Sequence, residues 1–156
     1  MERLEIIEAL KDTPNALERE LAGLSDAVIR YKPSEGEWSI REVMGHMRFA
    51  EDIWYKRLYQ VWSLTDPVLI SFAGEDEALE QARQATSVAP YVEGIQANRP
   101  RTVDLMSHAV DWTRLGQWRG VGRRSLKQLA EALVAHDADH LAQIRALKAA
   151  QSTPAR

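Results

Sequence analysis

Apolar residues recur at intervals of three and four along nearly the whole chain, and that period decides what the chain can fold into. Leu126, Leu129 and Leu133 begin one such stripe, and Ile144 and Leu147 continue it. Val43, Ala50 and Ile53 form a second. Leu4, Ile7 and Leu10, then Leu17, Leu21, Leu24 and Val28, form a third. On an α-helix, residues so spaced share one face, and that face is buried against other helices. No segment sustains the period-two alternation of a half-buried strand, so "RLGQWRGVGRR" reads as a glycine-bearing connection.

Punctuation divides the pattern into four principal helices. Thr13 and Pro14 read as an N-cap and first helical residue, so helix 1 is expected to be broken or kinked there. "WSIREV" opens helix 2: Ser39 and Glu42 match a capping box, with Trp38 and Val43 placed as a hydrophobic staple. That helix runs to about Trp62 and is followed, within 72–90, by a loop and a short helix. Helix 3 spans about Val88 to Val110, with Pro100 kinking or splitting it. Ser125 caps helix 4, which reaches about Ala149. The expected fold is all-α: a four-helix bundle with a kinked helix 1 and a short extra helix between helices 2 and 3. With 156 residues, one domain over 1–150 and a short tail over 151–156 are expected.

A net charge of -3 supplies no basic surface for nucleic acid. The chain has no cysteine, which excludes disulfides and thiolate ligands and suits a reducing cytoplasm. The start, "MERLEIIEALK", does not read as a signal peptide, and no run approaches the ~20 apolar residues of a membrane span. A cytoplasmic protein without membrane partners is expected.

Three histidines break the stripes. His136 and His140 stand where helix 4 calls for aliphatics, and His46 does the same on helix 2. All three therefore point into the bundle. Each buried imidazole needs partners for two nitrogens, and an unmet one costs ~1–3 kcal/mol. A divalent metal satisfies all three at ~2.1 Å, whereas the alternative is three core histidines with hydrogen bonds alone.

"WSIREVMGHMRFAEDIWYKRL" and, ninety residues after His46, "HDADHLAQI" together resemble the DinB-like (YfiT-like) superfamily of four-helix-bundle metalloproteins. The resemblance extends to the "TP" in helix 1, "KPSEGEW" and the "DW" ending helix 3. It implies His46, His136 and His140 as ligands of zinc or nickel, Gln143 as part of the signature, and a homodimer. It also implies chemistry with low-molecular-weight thiols and electrophilic small molecules, since relatives include bacillithiol S-transferases and a mycothiol-dependent isomerase.

Three imidazoles leave a coordination position open, as catalytic sites do. A metal-dependent thiol transferase or hydrolase is expected, with a non-catalytic stress-response or scaffold protein holding a structural metal as the alternative. Helical angles place Asp137 and Asp139 on either side of the histidine pair and Gln143 one turn on, so each is a candidate to orient an imidazole. His108 falls near the end of helix 3 and is left out of the ligand set. Trp54 and Trp62 are expected to pack together against a neighbouring helix, and Arg99 and Arg101 to lie on a polar face. From the unperturbed imidazole pKa of ~6.5, metal affinity is expected to fall below about pH 6.

Overall fold

Ser39 opens its helix as the sequence requires. In the computed structural model, which describes residues 1–152, its backbone N–H donates to Glu42 Oε1 at 3.2 Å, and Glu42 N–H returns a bond to Ser39 Oγ at 3.4 Å. The long helices are α1 (Arg3–Leu21), α3 (Ile40–Ser63), α5 (Ala89–His108) and α6 (Leu126–Ser152). Two short ones, α2 (Asp26–Arg30) and α4 (Glu75–Ala82), lie in the connections that precede α3 and follow it. Of the tail expected over 151–156, Gln151 and Ser152 extend α6, and residues 153–156 lie outside the described residues. No described helix is long and apolar enough to cross a membrane.

Of the long helices, α1 and α3 each pack against both α5 and α6. The bundle therefore runs α1, α5, α3, α6 around its perimeter, with α1 diagonal to α3 and α5 diagonal to α6. Its core has two halves. Ile6, Leu10, Trp54, Leu58, Leu105, Met106, Leu129 and Leu133 fill one, and Leu17, Leu21, Val43, Met44, Val92, Ile95 and Ile144 fill the other. Buried polar side chains lie between these halves in the sequence of each long helix: Thr13 on α1, Glu51 on α3, Arg99 on α5 and Asp137 on α6.

Helix α1 is not broken at Thr13, and Thr13 is no N-cap. The helix runs through Pro14, which has no N–H for the Leu10 carbonyl. Arg99 Nη1 supplies the missing donor at 3.0 Å, and the Thr13 hydroxyl donates to Asp137 Oδ2 at 2.9 Å. Helix α5 likewise continues through Pro100. The buried face of α1 carries Ile6, while Leu4 is exposed. Its stripe ends at Leu21, because Gly23 turns the chain at φ 71° before Ser25 caps α2.

The connection before α6 is a β-hairpin and not a plain loop: β1 (Leu115–Trp118) pairs antiparallel with β2 (Gly122–Ser125), Leu115 opposite Ser125 and Trp118 opposite Gly122. Its turn uses Gly120 at φ 79°, a conformation that costs residues with a Cβ. Each strand has four residues, and β1 buries only Gly116, too little for alternation to register. Ser125 then caps α6, accepting from Gln128 N–H at 3.1 Å.

Candidate metal centre

His46 reaches inward from α3, and His136 and His140 from successive turns of α6. One nitrogen of each ring lies within 4.8 Å of the others. His46 Nε2 and His136 Nε2 are 2.9 Å apart, and the His136 and His140 ring centres 4.5 Å. The outer nitrogens are held from behind. His46 Nδ1 is hydrogen-bonded to Glu75, the first residue of α4. His140 Nδ1 bonds Gln143 Oε1 at 2.9 Å. An Nδ1–H donated outward leaves the Nε2 lone pair facing the centre, which is the tautomer a metal requires. Among the described residues His136 Nδ1 is buried without a hydrogen-bond partner, and Asp137 Oδ1 lies 3.7 Å from it.

Burial pushes the His46 pKa down, and it depresses His140 to about 4. The bond to Glu75 and the bond to Gln143 oppose these shifts without cancelling them. Two of the three imidazoles are therefore neutral at pH 7, as ligands must be. Three imidazole nitrogens facing one point, two of the rings braced from behind, fit a divalent cation. Trp38 walls the group, its ring 5.0 Å from His46 and 6.4 Å from His140. Trp38 and Gln143 also line a groove of ≈ 410 Å³ with Pro33, Glu37 and Leu147.

Glu75 gives little sign of itself in the sequence. It is one of several acids opening a short helix, and α4 reaches the site because Gly45, next to His46, lets it approach. A Cβ at Gly45 would stand 2.5 Å from the Ala82 Cβ.

A sequence model of the DinB superfamily matches residues 9–144. The chain belongs to the DinB superfamily. The structure of YfiT from Bacillus subtilis, a probable metal-dependent hydrolase with an unusual four-helix bundle topology, is similar at a TM-score of 0.88 and 17% identity, covering 97% of this chain and 89% of that one. At that identity the likeness shows the fold. No curated protein matches the chain in sequence.

Not every expected residue of this DinB-superfamily chain joins its centre. Gln143 does, through His140. Asp137 is not a solvated edge residue but is buried, its carboxylate held by Thr13 and Arg99. Burial alone would raise its pKa, and the neighbouring His136 and Arg99 outweigh that and hold it below the ordinary carboxylate value. Asp139 is exposed and contacts none of the histidines. His108 is exposed too, bonded to the Asp104 carbonyl of its own helix. Arg99 is the clearest departure. It is not on a polar face but 2% exposed, with Glu51 Oε2 and Asp137 Oδ2 each at 2.8 Å. Both carboxylates hold its pKa above the usual arginine value against the opposing effect of burial. Trp54 and Trp62 part company: Trp54 is buried and Trp62 is 42% exposed.

Proposed function

We propose that this DinB-superfamily protein is a metal-dependent hydrolase whose divalent ion, zinc or nickel, is held by His46, His136 and His140. The observation that carries this reading is a donor set of three converging imidazoles with no fourth protein ligand among the described residues. A structural zinc site is closed by four protein ligands, whereas a three-ligand site has room for substrate. Once bound, the ion would supply Lewis acidity and ease the loss of a proton from water.

The chain's own residues supply the rest. Gln143 fixes the tautomer of His140, and Glu75 that of His46. Among the described residues, Glu75 has the one carboxylate hydrogen-bonded to the triad. Its side chain is 26% exposed and lies behind the His46 ring, where it orients the imidazole and raises its strength as a donor. Trp38 excludes bulk water from one side. The reading of YfiT as a probable metal-dependent hydrolase agrees with this assignment.

The same open position also suits a low-molecular-weight thiol, which a chain without cysteine would have to take from solution. The test compares metal-loaded and chelated protein on activated esters and amides, and on an aryl halide with an added thiol. Metal-dependent ester or amide turnover is expected. It should be lost on chelation, restored by re-addition, and lowered about 10–100-fold by Glu75→Leu, which removes the brace on His46. Turnover only of thiol with aryl halide would replace hydrolysis by transfer. Turnover of neither would favour a structural metal in a scaffold.

We also propose a homodimer, formed through the aromatic surface of Tyr59 and Trp62, which are 47% and 42% exposed with ring centres 5.5 Å apart. A monomeric mass by light scattering at micromolar concentration would remove it.

A further inference from the structure

Among the described residues two arginines are buried, and they are treated differently. Arg99 is 2% exposed and lies between two carboxylates. Arg57, on α3, is 4% exposed and has none. Its Nε donates to the Ile70 carbonyl at 2.9 Å, while Nη1 is sealed from solvent with no acceptor. Around the guanidinium stand three aromatic rings: Phe72 at 4.9 Å from Cζ, Trp118 at 5.0 Å and Trp54 at 5.4 Å. Ring faces attract a cation, but they do not accept its N–H groups as an oxygen does. One turn back on the same face of α3, the Trp54 indole N–H is also buried without an acceptor.

An unpaired buried cation beside an unpaired buried N–H is costly and calls for an anion. Burial alone lowers the Arg57 pKa, the opposite of the shift at Arg99. Arg41 and Arg101 also leave Nε without a partner, but each is half-exposed and bonds an oxygen through a terminal nitrogen. The position of Arg57 is equally specific. Phe72 lies 6.1 Å from the His46 ring, nearly parallel to it, and Trp54 lies 6.0 Å from the His136 ring. One aromatic ring separates the guanidinium from each of two triad members.

We propose that Arg57 and Trp54 bind the carboxylate of a small monoanionic substrate whose reacting end lies at the three histidines. The second half of that statement rests on the metal-hydrolase reading; the carboxylate site does not. A planar guanidinium matches a planar carboxylate through paired N–H groups, and a single cation among aromatic walls balances one negative charge. A more highly charged, strongly hydrated phosphate suits such walls less.

The test is calorimetric titration and thermal melting with acetate, propionate and benzoate, against chloride and inorganic phosphate at matched ionic strength. It uses wild type, Arg57→Met, Arg57→Lys and Trp54→Phe, with metal content measured on each. Carboxylates should bind wild type and raise its melting temperature. Affinity should fall about ten- to a hundredfold in Arg57→Met, the loss expected for charge-assisted hydrogen bonds. It should fall less in Arg57→Lys and several-fold in Trp54→Phe, which removes one N–H and keeps a ring. Without ligand, Arg57→Met should melt no lower than wild type, since it removes an uncompensated cation, and its metal content should be unchanged. Equal carboxylate binding by wild type and Arg57→Met, phosphate bound as well as carboxylate, or an Arg57→Met protein that does not fold would each overturn the proposal. So would unchanged affinity in both Arg57→Lys and Trp54→Phe. Carboxylate binding that depends on Arg57 in protein retaining no metal would uphold this site while removing the metal reading.

Discussion

His140 shows how burial prepares a ligand and what that preparation costs. Its pKa, about 4 in the fold against ~6.5 in an unfolded chain, means that the folded state resists the proton. A depressed imidazole pKa gives stability that is present above pH 6.5 and lost as pH falls from 6.5 through 4. Metal-free protein should therefore lose up to about 3 kcal/mol from this residue across that window. Melting wild type and His140→Leu at pH 7 and pH 4 measures it, and the variant should show the shallower loss. At His140 the same shift lowers the pH at which protons compete with the metal, and metal analysis after dialysis at a series of pH values would report the onset. The braces behind the imidazoles can be tested separately. Gln143→Leu should weaken metal binding about 10–100-fold in a competitive chelator titration. Asp139→Asn, on the exposed side of α6, should leave it unchanged.

Individual elements are held in place by contacts between residues far apart in sequence. Glu75 meets His46 only because α4 packs closely on α3 at Gly45 and Ala82. Gly45→Ala should push α4 outward, cost about 1–3 kcal/mol and free His46 Nδ1. Adding Ala82→Gly should recover much of the stability, and thermal melts of the single and double variants measure the coupling. The belt around Arg99 depends on partners in the same way. Arg99→Met would strand Glu51, Asp137 and the Leu10 carbonyl, and urea unfolding should register a loss of about 3–5 kcal/mol. These dependencies explain what could be read from the sequence. His46, His136 and His140 were legible because each replaces an aliphatic on a regular stripe, and the stripe fixes its direction. Arg99 was not, because an arginine on a helix reads as solvated until Glu51 and Asp137, 48 and 38 residues away, are seen to meet it. The unbroken α1 was hidden for the same reason: the donor that replaces Pro14's missing N–H comes from α5.

At the scale of the whole molecule, the four long helices enclose two apolar half-cores and a polar belt. The bundle class followed from the period of the apolar residues, but the diagonal placement of α1 against α3 and of α5 against α6 is set by packing and leaves no mark on that period. The hairpin escaped because its strands bury too little to alternate. The metal ligands, the Arg99 ion pairs of the belt and the unpaired Arg57 all lie in a low-dielectric interior, where each charged or polar group needs a partner. Three inward imidazoles are a liability in the metal-free bundle and an asset in the loaded one. The decisive measurement is therefore thermal melting of wild type and His140→Leu, each with and without zinc or nickel. Wild type should rise in melting temperature with metal. His140→Leu should melt as high as metal-free wild type or higher and show little response to the ion. An equal metal-induced rise in both proteins would mean that His140 is not a ligand and would contradict the three-histidine centre.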